Sequence, residues 1–189
     1  MAGLGFAGGA ATLVAGCGGN KQNKGTGPIA GEKPQSPSPE PAESDVADST
    51  VLNAALDLEN QAVAFYAQAM KALTGANLRA VRSFRDHERA HAAVLSRAIK
   101  GMGRTPDAAS KSYRFPRLPT QDDILRYAIR IENGQIGHYI DALPRLNTGS
   151  ARAEVASIFA TEAEHLAVLN GQLRERSAPT AFVTGQGVG

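Results

Sequence analysis

The chain has 189 residues, of which 42% are hydrophobic, 20% charged and 5% aromatic, with a formal net charge of +2. That length and composition suit one domain with a sizeable core. Near-neutral charge, the absence of tryptophan and the scarcity of other aromatics leave neither a basic field nor stacking platforms, so no nucleic-acid partner is expected.

Residues 1–17 (MAGLGFAGGAATLVAGC) are apolar, small and uncharged, and too short and Gly-rich to span a membrane stably. They end in Val14-Ala15-Gly16-Cys17, which has the form of a lipobox, the site at which an exported lipoprotein is cleaved before a cysteine that then carries lipid. Cys17 is the chain's single cysteine. No Lys or Arg precedes the apolar run, so either the true start lies upstream or the signal is atypical. Residues 18–44, rich in Gly, Pro, Ser, Asn and Lys, cannot bury a core and are expected to form an extended tether. The expected location is outside the cytoplasmic membrane, on its outer face or in the periplasm, with the lipid as anchor.

The folded part is expected over 45–177. A first helix should begin near Asp45–Ser49, where several N-cap residues cluster, and carries the seam Leu52, Leu56, Glu59, Val63, Tyr66, Met70, Leu73. Thr74-Gly75-Ala76-Asn77 breaks it, and a second helix runs to about Gly101–Gly103 along Val81, Phe84, Leu95, Ala98 and Met102, with Glu88 and His91 filling the gap in that stripe. A carboxylate and an imidazole thus stand where Leu or Ile is expected, and a buried carboxylate needs compensation, most naturally from a metal ion. Arg104 to Pro119, with three prolines and no helical period, reads as a crossover. Thr120 to Asp123 resembles a capping box opening a third helix with the seam Leu125, Ala128, Glu132, Gln135, Tyr139, Ala142, which Pro144 ends. After the turn Asn147 to Ser150, a fourth helix carries Val155, Ile158, Glu162, His165, Leu169 and Gln172; residues 178–189 form a flexible tail.

The chain repeats itself. Glu162 to Leu169 matches Glu88 to Leu95, with Glu, His and an Ala-Val-Leu run in register. Glu59 with Tyr66 matches Glu132 with Tyr139, each pair two helical turns apart on one face. Glu59 lies about as far before the first turn as Glu88 lies after it, so an antiparallel hairpin brings both to one height. Four carboxylates carry four negative charges, which two divalent cations balance while His91 and His165 stay neutral. His87, His138 and Glu164 each neighbour a seam residue, and their positions alone make them solvated.

Glu59, Glu88/His91, Glu132 and Glu162/His165 resemble the ligand set of the ferritin-like dinuclear carboxylate proteins, which take one Glu from each of two helices and a Glu-x-x-His from each of two others. The resemblance covers Asp48 to about Arg176. More narrowly, LENQAVAFY and HERAHAAVL resemble secreted bacterial ferritin-like domain proteins. It implies an all-α, antiparallel four-helix bundle of two helix pairs, with the long crossover between the second and third helices. It also implies two metal ions, with Glu88 and Glu162 bridging them, Glu59 and His91 completing one shell and Glu132 and His165 the other. Tyr66 and Tyr139 would hydrogen-bond ligand carboxylates, or else be ordinary core tyrosines. Mixed carboxylate–imidazole ligation suits iron, with manganese as the alternative and zinc as a further occupant. The expected activity is oxidation of ferrous iron, or reduction of peroxide or oxygen. A manganese catalase-like enzyme and a non-enzymatic envelope or stress protein, its bundle held by the metals, are the alternatives. A homo-oligomer is compatible with each. Without a Cys-x-x-Cys pair the chain carries no rubredoxin-like electron donor.

Overall fold

The computed structural model describes residues 42–186, which form four α-helices: α1 (Glu43–Ala69), α2 (Gly75–Gly101), α3 (Gln121–Ala142) and α4 (Gly149–Gln172). The expected leader, Cys17 and nearly all of the expected tether lie outside the described residues. Among the described residues there is no strand, and no helix is long and apolar enough to cross a membrane.

α1 begins earlier than its cluster of capping residues suggests. Ala42 occupies the N-cap position without a side-chain bond, and Glu43 and Asp45 place negative charge in the first turn, where the helix dipole favours it. The expected caps are engaged elsewhere. Ser49 bonds back to the Val46 carbonyl at 2.9 Å, and Asp48 is buried and reaches across the bundle. Its carboxylate accepts from the Asn147 and Thr148 amides at 2.7 and 2.8 Å and from the Asn147 side chain at 3.0 Å, so it caps the start of α4 from α1. Burial pushes the Asp48 carboxyl up, but these bonds outweigh it and hold the carboxyl below its ordinary value.

The α1–α2 turn closes on Gly75, whose φ of +57° favours glycine. The box at α3 forms as its sequence suggests: the Asp123 amide donates to Thr120 Oγ1 and the Thr120 amide to Asp123 Oδ2, both at 3.1 Å. At the other end Pro144 does not simply stop the helix. The chain tightens into one 3-10 turn, Leu143–Arg145, before α4.

Two contacts fix the topology. The Thr74 amide in the turn after α1 bonds Gln121 at the start of α3, whereas Asp48 near the start of α1 meets Asn147 in the turn after α3. α3 therefore runs antiparallel to α1 and in the direction of α2, which requires the chain from Met102 to Thr120 to travel back along the bundle. It does so against α1, pinned by the Asp107 amide on Asn53 at 2.9 Å, by the Tyr113 hydroxyl on Asp57 at 2.7 Å, and by Phe115 packed against Phe65 and Tyr127. Short connections make α1–α2 and α3–α4 antiparallel hairpins, and α1 packs on α3 while α2 packs on α4. The whole is an all-α four-helix bundle.

The apolar interior falls into two clusters. One contains Leu52, Leu56, Leu95, Ile99, Tyr139 and Val155, the other Phe65, Tyr66, Val81, Phe84, Leu125 and Leu169. Between them, at mid-height, lies a layer of buried polar residues. Beyond α4 the chain returns to α3, where Gly185 (φ +71°) lies so close that a Cβ there would stand 2.3 Å from the Gly137 amide nitrogen.

Candidate metal centre

Every helix contributes to that polar layer. Glu59 comes from α1, Glu88 and His91 from α2, Glu132 from α3, and Glu162 and His165 from α4. The three-residue spacing of Glu88 to His91 and of Glu162 to His165 turns both side chains of each pair toward the axis. All four carboxylates are fully buried, and the imidazoles of His91 and His165 are 9% and 2% exposed.

The donor atoms fall into two overlapping groups, Glu59, Glu88, His91 and Glu162, and Glu88, Glu132, Glu162 and His165, each with its atoms within 4.8 Å of one another. Glu88 and Glu162 belong to both. His91 Nδ1 stands 2.9 Å from Glu162 Oε1, 3.4 Å from Glu59 Oε2 and 3.7 Å from Glu88 Oε2. His165 Nδ1 stands 3.1 Å from Glu162 Oε2, 3.2 Å from Glu88 Oε1 and 3.5 Å from Glu132 Oε2. Each shared carboxylate thus turns one oxygen to each half.

Seven of these inward-facing atoms make no hydrogen bond: Glu59 Oε2, Glu88 Oε1, Glu132 Oε2, both Glu162 oxygens, and Nδ1 of both histidines. Buried polar atoms are almost always partnered, and these seven face one another only as ion pairs, so together they could hold a metal. All are oxygens or imidazole nitrogens, the donors of iron and manganese sites. The residues fit a pair of metal ions.

The outward-facing atoms are held. The Tyr139 hydroxyl donates to Glu59 Oε1 and the Tyr66 hydroxyl to Glu132 Oε1, each tyrosine reaching from the opposite helix of the α1–α3 pair. Burial, and then the nearby carboxylates, push both phenols well above their ordinary range, so both remain protonated donors.

Two further residues reach the layer. Gln135, a seam position with no role assigned from the sequence, donates from Nε2 to Glu88 Oε2 at 3.0 Å and is itself buried. A buried amide one turn after Glu132 was the available signal. His87 is exposed, as its position suggests, but its Nδ1 also lies 2.9 Å from His165 Nε2 and the two rings stack. Its own helix predicts solvent for this position, and only the approach of α4 supplies the partner. His138 departs from expectation, being half-buried with Nε2 unpartnered, whereas Glu164 is exposed as its position suggests.

Electrostatics describe what the cluster needs. Burial raises Glu59 and Glu132 well above the usual carboxylate range, reinforced by the charges of Glu88 and Glu162. Burial opposes charge on His91 and His165 too, but the facing carboxylates outweigh it and push the imidazoles up to about 11 and about 12. Glu88 goes the other way: burial alone would raise it, and its contacts with His165 and His91 bring it below the ordinary range. Without cations the layer therefore retains protons.

The sequence pattern of the ferritin-like domain matches residues 47–175. Among solved structures, a conserved hypothetical protein from Mycobacterium tuberculosis is 19% identical, with a TM-score of 0.64 over 67% of this chain and 97% of its own. A ferritin-like, diiron-carboxylate protein from Bacillus anthracis is 22% identical, with a TM-score of 0.61 over 70% of this chain and 99% of its own. Among curated proteins none matches significantly.

Proposed function

The chain belongs to the ferritin-like domain family, and on that footing we propose that its buried layer holds two metal ions, iron in the first place, and serves oxidation of ferrous iron or reduction of oxygen or peroxide. The observation that carries this reading is the convergence of seven donor atoms without hydrogen bonds into two overlapping groups in one buried layer. Glu88 and Glu162 would bridge the ions, Glu59 and His91 would complete one shell, and Glu132 and His165 the other. A di-iron pair in such a shell supplies electrons to oxygen or peroxide.

The protein's own contribution is to orient and exclude. Tyr66 and Tyr139 hold one oxygen of each terminal carboxylate and leave the other facing inward. The apolar clusters above and below keep bulk water from the donors, which strengthens each electrostatic contact. Six protein ligands with two of them shared would leave coordination positions open on bound ions, as a reactive centre needs and a purely structural one does not. The deciding experiment is anaerobic reconstitution with ferrous iron, elemental analysis, and then exposure to oxygen or peroxide. About two irons per chain with oxidation faster than in buffer supports the reading. A chain that takes up neither iron nor manganese overturns it.

We propose further that the chain is exported and anchored through lipid on Cys17. The support is Val14-Ala15-Gly16-Cys17 followed by a Pro- and Ser-rich tether.

A further inference from the structure

The two halves of the centre are built from repeated sequence, but their surroundings are not the same. In the second half, His165 Nε2 meets His87 Nδ1 at 2.9 Å, and His87 Nε2 meets Ser83 Oγ at 3.3 Å. In the first half the position matching His87 is Thr161, one residue before Glu162, and its hydroxyl bonds the Ser157 carbonyl of its own helix. His91 thus has no counterpart of His87. Gln135 breaks the symmetry as well, because the matching position three residues after Glu59 is Ala62, which has no donor. Gln135 donates to Glu88 Oε2, the oxygen nearer His91, while Glu88 Oε1 near His165 remains free.

One arrangement of protons satisfies the histidine chain. If His165 presents a lone pair on Nδ1 to the layer, its proton resides on Nε2 and is donated to His87 Nδ1. His87 then carries its proton on Nε2, directed to Ser83 Oγ. A hydrogen bond to the far nitrogen of a ligating imidazole fixes its tautomer and orientation and raises its basicity. A donor on a carboxylate oxygen does the reverse, drawing electron density from that oxygen.

We propose that His87 is a positioning residue that locks His165 in its ligating tautomer, so that the Glu132/His165 half holds its cation more tightly than the Glu59/His91 half. This rests on the metal-site reading above. Gln135 acts in the same direction by weakening Glu88 Oε2 on the His91 side. His91 is also the more exposed of the two imidazoles, 9% against 2% for His165.

The test is anaerobic titration of the full chain with Co2+, followed by visible absorption, for the wild type, His87→Ala and His87→Asn. The wild type should bind two ions in resolved steps. His87→Ala should weaken the tighter step by roughly 10- to 100-fold and merge the two. His87→Asn, whose side-chain oxygen can accept where Nδ1 did, should restore the separation. Helical circular dichroism should not change, because the His87 ring is exposed. A wild type that binds two ions, with His87→Ala titrating identically or His87→Asn failing to restore the step, overturns the role of His87 and leaves the metal site standing. A wild type that binds no Co2+ overturns both.

Discussion

Tyr139 of α3 donates its hydroxyl to Glu59 of α1, and Tyr66 of α1 returns the same bond to Glu132 of α3. Each tyrosine is rooted in the opposite apolar cluster, so the polar layer is tied to both halves of the core. This reciprocal pair joins the two repeats. Tyr139→Phe should leave a buried acceptor on Glu59 unpartnered, at a cost of about 1–3 kcal/mol to the metal-free protein. It should also lower metal affinity by roughly 10-fold in the half containing Glu59. Thermal melts without metal and metal titrations check the two effects separately; a variant equal to wild type in both would remove the tyrosine from the site.

Metal uptake should release protons. In the metal-free layer Glu59 and Glu132 are raised and the imidazoles reach about 11 and about 12, so near neutral pH protons occupy positions that metal would take. Groups whose folded values lie above their unfolded ones stabilise the fold at low pH and lose that contribution as pH rises. The metal-free Tm should therefore fall as pH rises from about 6.5 towards about 11, whereas the metal-loaded Tm should change less. A pH-stat recording of metal addition at neutral pH reads the first effect directly, and the absence of acid release would contradict it.

Asp48 tests the fold apart from the centre. Its carboxylate serves the Asn147 and Thr148 amides at the start of α4, and Asp48→Ala should cost about 1–3 kcal/mol by leaving them unsatisfied. The fold holds its carboxyl below the ordinary range, so its contribution is present above about pH 4 and fades as pH falls through the lowered value. Denaturant melts of wild type and variant should converge in acid and separate at neutral pH.

The bundle and the six inward residues were legible because both follow from period. Glu88 and His91 interrupt an apolar stripe at helical spacing, the interruption recurs at Glu162 and His165, and short turns leave few ways to pack the helices. Contacts made between distant segments were not legible. Nothing local distinguishes Asp48 as the cap of a helix ninety-nine residues away rather than of its own. His87 lies off the seam of α2 and acquires a partner only where α4 crosses it. Gln135 stood on the seam in plain view, but an amide there reads equally as core until Glu88 is placed opposite it.

Anchoring through Cys17 predicts a fractionation change. Cys17→Ser expressed in the native host should move from the membrane fraction to the soluble one, since acyl chains supply most of the affinity for the bilayer. Mass spectrometry that finds an unmodified Cys17 in mature protein would refute the anchor, with no consequence for the centre.

Shared and terminal carboxylates should differ in what their loss removes. Glu88 and Glu162 each offer one oxygen to either half, whereas Glu132 approaches only His165. Glu162→Ala should therefore reduce bound metal sharply in both halves, and Glu132→Ala should chiefly deplete one. If turnover needs two adjacent ions, Glu132→Ala should abolish the gain in ferrous-iron oxidation over buffer, with the helices still folded by circular dichroism. Equal metal loss in the two variants would mean that the halves do not load independently. The same samples distinguish the activities. Oxygen evolution from peroxide by the manganese form, with iron oxidation no faster than buffer, would favour a catalase-like enzyme. Silence of both forms, together with melting of the bundle when metal is stripped, would make the site structural.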